Sequence, residues 1–74
     1  MENRIVYHYT VRYTFTDKKK LESGHGIIDY VSMTKIEDAA FDIISWLQKE
    51  IAFERKHEQV TITCYTMYKT EYLS

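Results

Sequence analysis

The side chains able to do chemistry in this sequence are His8, His25, His57 and Cys64, the glycines that flank His25, and carboxylates such as Glu22, Asp29 and Glu58. Histidine and cysteine ligate zinc in closely spaced sets, and these four match no such spacing, so neither a metal nor any other cofactor is expected. Cys64 as a nucleophile needs an accessible, electropositive setting and an adjacent base. The alternation around it points it inward instead, as a small buried hydrophobe. No two carboxylates are placed to straddle one substrate, so no catalytic residue is nominated. Gly24-His25-Gly26 lacks the strand-to-helix context of a phosphate-binding loop, because sheet-like residues follow it. A β-bulge is the expected reason for the two glycines. These readings predict a chain that is not an enzyme.

The elements that position these residues follow from two periods. Arg4 to Thr16 alternates with period two, placing Ile5, Tyr7, Tyr9, Val11, Tyr13 and Phe15 on one side and Val6, His8, Thr10, Arg12, Thr14 and Thr16 on the other. Asp17-Lys18-Lys19-Lys20 breaks the pattern as a polar turn, and Leu21 to Val31 resumes extended character. Ile28 and Tyr30 are expected to face inward. From Thr34 to about His57 the period becomes helical: Ile36, Ala39, Ala40, Ile43, Ile44, Leu47 and Ile51 share one face. Thr34 and Glu37 have the spacing of a capping box, while no glycine marks the exit. Gln59 to Tyr72 is again strand-like, with Val60, Ile62, Cys64 and Tyr68 read inward and Thr61, Thr63, Tyr65 and Met67 outward. The expected fold is α+β: ββαβ, a three-stranded antiparallel sheet in order 2-1-3 with one amphipathic helix on one face.

The chain of 74 residues reads as a single domain, 1–74, and is small enough for its core to leave a thin stability margin. With one cysteine it has no internal disulfide to add to that margin, which makes self-association a natural supplement. Ten basic and eleven acidic residues leave a charge of −1, which favours neither nucleic acid nor an acidic membrane. No apolar run approaches the length of a membrane span and Met1-Glu2-Asn3-Arg4 opens no leader, so a cytoplasmic location is expected.

One helix covers one face of such a sheet, so the other face is the first place to look for binding. Val6, His8 and Arg12 from the first strand and Tyr65 and Met67 from the third are candidates there, joined by Ile27, Asp29 and Val31 from the second. On the helix, Phe41 falls outside the buried arc, and Trp46 and Phe53, seven residues apart, share one margin. A homodimer is expected, formed either through the third strand as an edge or by stacking the open faces. The alternative is a single-stranded nucleic-acid binder, with Tyr65 and His8 stacking on bases while Arg12 and Lys18-Lys19-Lys20 meet phosphates.

The tyrosine-rich opening Tyr7-His8-Tyr9-Thr10-Val11-Arg12-Tyr13, the short polar turn and Gly24-His25-Gly26 ahead of the second strand carry a resemblance. With the helix bearing Ile36, Asp38, Ile43, Leu47 and Ile51 and the closing Val60-Thr61-Ile62, the pattern resembles the small uncharacterised ββαβ proteins of bacteriophage and prophage genomes. The lysine-rich turn and the long last strand depart from it. The resemblance implies a compact accessory protein or inhibitor that acts by binding a host protein, and it transfers no catalytic residues.

Overall fold

The structure, a computed structural model, describes residues 4–73. Met1-Glu2-Asn3, part of the opening expected to carry no leader, lies outside that range. Strand β1 (Arg4–Asp17) is followed by β2 (Glu22–Ser32), a 3-10 turn (Ile36–Asp38), helix α1 (Ala40–Arg55) and strand β3 (Gln59–Leu73). The sheet order is β2-β1-β3 with both pairings antiparallel, so the α+β, ββαβ expectation is met.

Alternation in β1 builds the core. Tyr9, Val11 and Tyr13 are buried and close against Ile36, Leu47, Ile51 and Val60. Burial of an aliphatic side chain such as Leu47 or Ile51 contributes about 1.5–3 kcal/mol, so a handful of them carries much of the stability of so small a domain. Ile28 and Tyr30 do face the helix, opposite Val11 and Tyr9 in the β1–β2 register.

That register runs unbroken from Tyr7↔Ser32 to Asp17↔Glu22, which overturns the bulge expected at the glycines. Gly24 and Gly26 instead lie opposite Phe15 and Tyr13 and beneath their rings. A Cβ at Gly24 would stand 2.9 Å from the Phe15 ring, and one at Gly26 would collide with the Tyr13 hydroxyl. Cross-strand aromatics cover the bare backbone, and glycine is required because the rings occupy the side-chain space.

The bulges lie in β3. Register shifts between Arg12 and Tyr13, and again between His8 and Tyr9, insert Thr63 and Tyr68 as extra residues. Each insertion inverts the side-chain parity of the residues after it. Val60 and Ile62 face the helix as expected. Beyond Thr63, Cys64 lies opposite Arg12 on the open face, while Tyr65 and Met67 lie opposite Val11 and Tyr9 and pack on the core. The inward Cys64 and the outward Tyr65 and Met67 are therefore corrected, and Cys64 is an exposed free thiol.

The capping box at Thr34 does not form. The Thr34 amide donates to Ser32 Oγ, and the helix proper begins only after Ala39, with no side-chain cap. Tyr9 takes over this end: its hydroxyl accepts from the buried Ile36 amide at 3.0 Å and donates to Glu37 at 3.3 Å. Burial raises the Tyr9 phenol above its ordinary value, with the Ile36 amide partly opposing that rise and the neighbouring Glu37 charge adding to it. At the far end, Lys56 adopts the left-handed conformation usually given to glycine, and the His57 amide reaches back to the Ala52 carbonyl.

The helix of 16 residues extends about 24 Å, matching the ~26 Å of β1 from Tyr9 to Asp17. The strands are longer than the helix. The end formed by Arg4–Val6 paired with Glu71–Leu73 projects past both β2 and the helix, giving a molecule of 52 × 20 × 18 Å.

Candidate functional site

Three regions of the surface differ in what holds them. The first lies where the helix exit meets the β1–β2 hairpin. Asp17 is buried on the helix side of β1 and accepts from His57 Nδ1 at 2.8 Å and from the Glu58 amide at 2.7 Å. Phe15 stacks on the His57 ring with centroids 3.7 Å apart, and Glu58 Oε1 accepts from the Lys19 amide. The His57 hydrogen bond, followed by that from Glu58, holds the Asp17 carboxyl below its ordinary value. An aspartate–histidine pair is half of a nucleophile-activating triad, and the other half would be a hydroxyl or thiol on the outer ring nitrogen. The one cysteine, Cys64, is on the opposite face of the sheet, paired with Arg12. The pair ties the start of β3 to the hairpin.

The open face of the sheet is a lattice of threonine and charge. Val6, His8, Thr10, Arg12, Thr14 and Thr16 occupy β1, and Ile27, Asp29 and Val31 of β2 lie beside them as expected, together with His25. From β3 the inverted parity brings Cys64, Thr66, Lys69 and Glu71 to this face. His8 Nε2 donates to Glu71 at 2.9 Å, and the Tyr68 ring lies 6.0 Å from the His8 ring. That hydrogen bond first, and Lys69 second, lower the Glu71 carboxyl from its ordinary value. With Tyr65 and Met67 on the other side, the face loses two of the binding candidates read there, among them the Tyr65 ring expected to stack on bases. Tyr68 and Cys64 take their place, and no periodicity in the sequence signals the change.

The third region comprises the helix margins and the strand edges they overhang. Seven residues apart, Phe41 and Gln48 share the margin towards β3, where Gln48 Oε1 accepts from the Ile62 amide at 2.9 Å. Phe41 is 84% exposed. Trp46 and Phe53 share the opposite margin, towards β2, where the Trp46 indole lies 6.3 Å from the Tyr30 ring. Trp46 is 52% and Phe53 84% exposed. The helix backbone comes closest to β3, leaving a groove of about 440 Å³ over β2 with Ile28, Tyr30, Leu47 and Ile51 at its floor and Asp29, Glu50, Glu54 and Arg55 around it. A groove of similar size on the β3 side is polar, lined by Ser45, Gln48, Lys49, Glu58 and Gln59.

Among the described residues no group of three or more histidines, cysteines, aspartates or glutamates is arranged to hold a metal ion, and no helix is long and apolar enough to cross a membrane. Comparison with family models, with curated proteins and with solved structures gives no match.

Proposed function

We propose that the chain is a small non-enzymatic protein-binding module, an accessory or inhibitory protein of the bacteriophage and prophage type that acts on a host protein in the cytoplasm. The observation that supports it is Phe41, a phenylalanine 84% exposed at the start of a helix whose other face supplies the core. A large apolar residue there contributes nothing to the fold and leaves about 2–3 kcal/mol of burial available to a partner. Tyr9, Asp17 and Glu71, each displaced from its ordinary pKa, bond to structural neighbours, which favours binding over acid–base work. The contact surface in this reading is the Phe41 side of the helix with the adjoining polar groove, and no longer the open sheet face. The alternative, a single-strand nucleic-acid binder, loses Tyr65 to the core and keeps only Tyr68 beside His8 as a stacking ring on the open face.

The test immobilises the chain, captures from bacterial lysate, and reconstitutes the captured protein with purified wild type and with Phe41→Ala. A stoichiometric complex lost on Phe41→Ala supports the reading. Capture of nucleic acid alone, removed by nuclease, overturns it in favour of the alternative.

A further inference from the structure

The two free edges of the sheet are built differently. β3 is interrupted by extra residues at Thr63 and Tyr68, and Gln48 occupies its Ile62 amide. Bulges and a covering side chain are ways by which an edge is made unfit to pair. β2 has none of them: its register with β1 is regular over all 11 residues, and it contains neither lysine nor proline. The helix leans away from it. In an antiparallel strand alternate residues turn N–H and C=O outward, so β2 presents an unbroken row of donors and acceptors.

The sequence of β2 is complementary to itself about Ile27. When two copies pair antiparallel with Ile27 on a twofold axis, His25 of each lies opposite Asp29 of the other, and Ser23 lies opposite Val31. The facing imidazole and carboxylate are complementary hydrogen-bonding partners, and the two half-exposed Ile27 side chains meet on the axis. On the helix face Tyr30 of the second copy comes opposite Gly24, beside the ring of Phe15. A shift of one residue either way loses both His25–Asp29 pairs and the isoleucine contact.

We propose that β2 is the dimerisation edge, with a second copy of this chain as its occupant, giving a six-stranded sheet of order 3-1-2-2-1-3. The twofold puts both helices on one face. Each helix lies closest to its own β3, so the two helices stand apart across the seam, beyond the about 14 Å that separates the two copies of β1. The two grooves, with Trp46 at their helix margin, face each other across this gap, so the association rests on the paired β2 edges. Pairing stops there, because the outer edges of the six-stranded sheet are the two bulged β3 strands. Closure therefore yields a dimer and not a fibre.

Sedimentation of the full chain at micromolar concentration and above should give twice the protomer mass of 8.9 kDa. Ile27→Lys, which brings two ammonium groups together on the axis, and His25→Asp, which faces Asp29 of the second copy, should each weaken association at least about tenfold. Exchanging the pair, His25→Asp with Asp29→His, should restore it. As an independent readout, Ile27→Cys on a Cys64→Ser background should cross-link across the axis, where facing Cα atoms lie within the ~4.4–6.8 Å that a disulfide spans. Tyr68→Cys on that background should not cross-link. A wild-type monomer overturns the proposal, as does a dimer indifferent to Ile27→Lys, an exchange that fails to restore association, or cross-linking at Tyr68 in place of Ile27. None of these variants touches Phe41, so the partner-binding reading stands or falls separately.

Discussion

The β2 and β3 edges begin from the same situation, a strand paired on one side only with β1, and end in opposite states. β3 is tied down along its length: Asp17, His57 and Glu58 lock its start, Gln48 caps an amide in its first half, and two bulges break the regularity of the rest. β2 is regular because its glycines let Tyr13 and Phe15 lie flat across it, and almost nothing from the helix covers its outer side. An edge that evolution leaves straight, uncovered and free of lysine in a small protein is one kept for pairing.

The largest effect that would break this contrast is at Gly26. Gly26→Val drives the Tyr13 ring from its place in the core and should destabilise by about 2–4 kcal/mol in chemical denaturation, whereas Thr63→Val, at the β3 bulge, should change stability by less than about 0.5 kcal/mol. Equal effects would mean that β2 does not depend on the flat glycines. Next is Gln48→Ala, which frees the Ile62 amide and should lower stability by about 1 kcal/mol without altering association through β2. A change in association would place the dimer on the β3 side.

Acid should act on the β3 anchorage first. The folded-state values of Asp17 and Glu71 are depressed, so their contribution is complete above the ordinary carboxylate range, near 3.8 for Asp17 and 4.5 for Glu71, and is lost as pH falls through the lowered values. Thermal melts from pH 7 down to pH 2 should show that loss, and Asp17→Asn should flatten it while lowering stability at neutral pH. An unchanged slope would remove Asp17 from the anchorage. The smallest effects are at the two residues held at positive φ, Leu21 in the hairpin turn and Lys56 at the helix exit. Leu21→Gly and Lys56→Gly should each stabilise by about 0.5–1 kcal/mol, visible as a raised denaturation midpoint.

The fold is legible in the sequence because its signals are periodic. Tyr9, Val11 and Tyr13 at period two and Leu47 and Ile51 at helical spacing specify which faces meet, and ββαβ in order 2-1-3 comes from connection lengths. The helix start is not legible, because Tyr9, distant in sequence, supplies the hydroxyl that Thr34 was expected to supply. The surface of β3 is hidden for a different reason, since a bulge leaves no mark in the alternation: Thr63 and Tyr68 look like ordinary strand residues, yet each turns the residues after it to the other face. His25 and Asp29, placed symmetrically about Ile27, are readable in principle, but only once the register has put all three on one face.

Hydrogen exchange measured as a function of protein concentration tests the difference between the edges most directly. On raising the concentration through the association range, outward-pointing amides between Gly24 and Tyr30 should gain protection, while those between Val60 and Thr66 stay unchanged. Protection gained in β3, or a β2 that exchanges equally at all concentrations while the protein associates, would contradict the assignment of the dimer to β2.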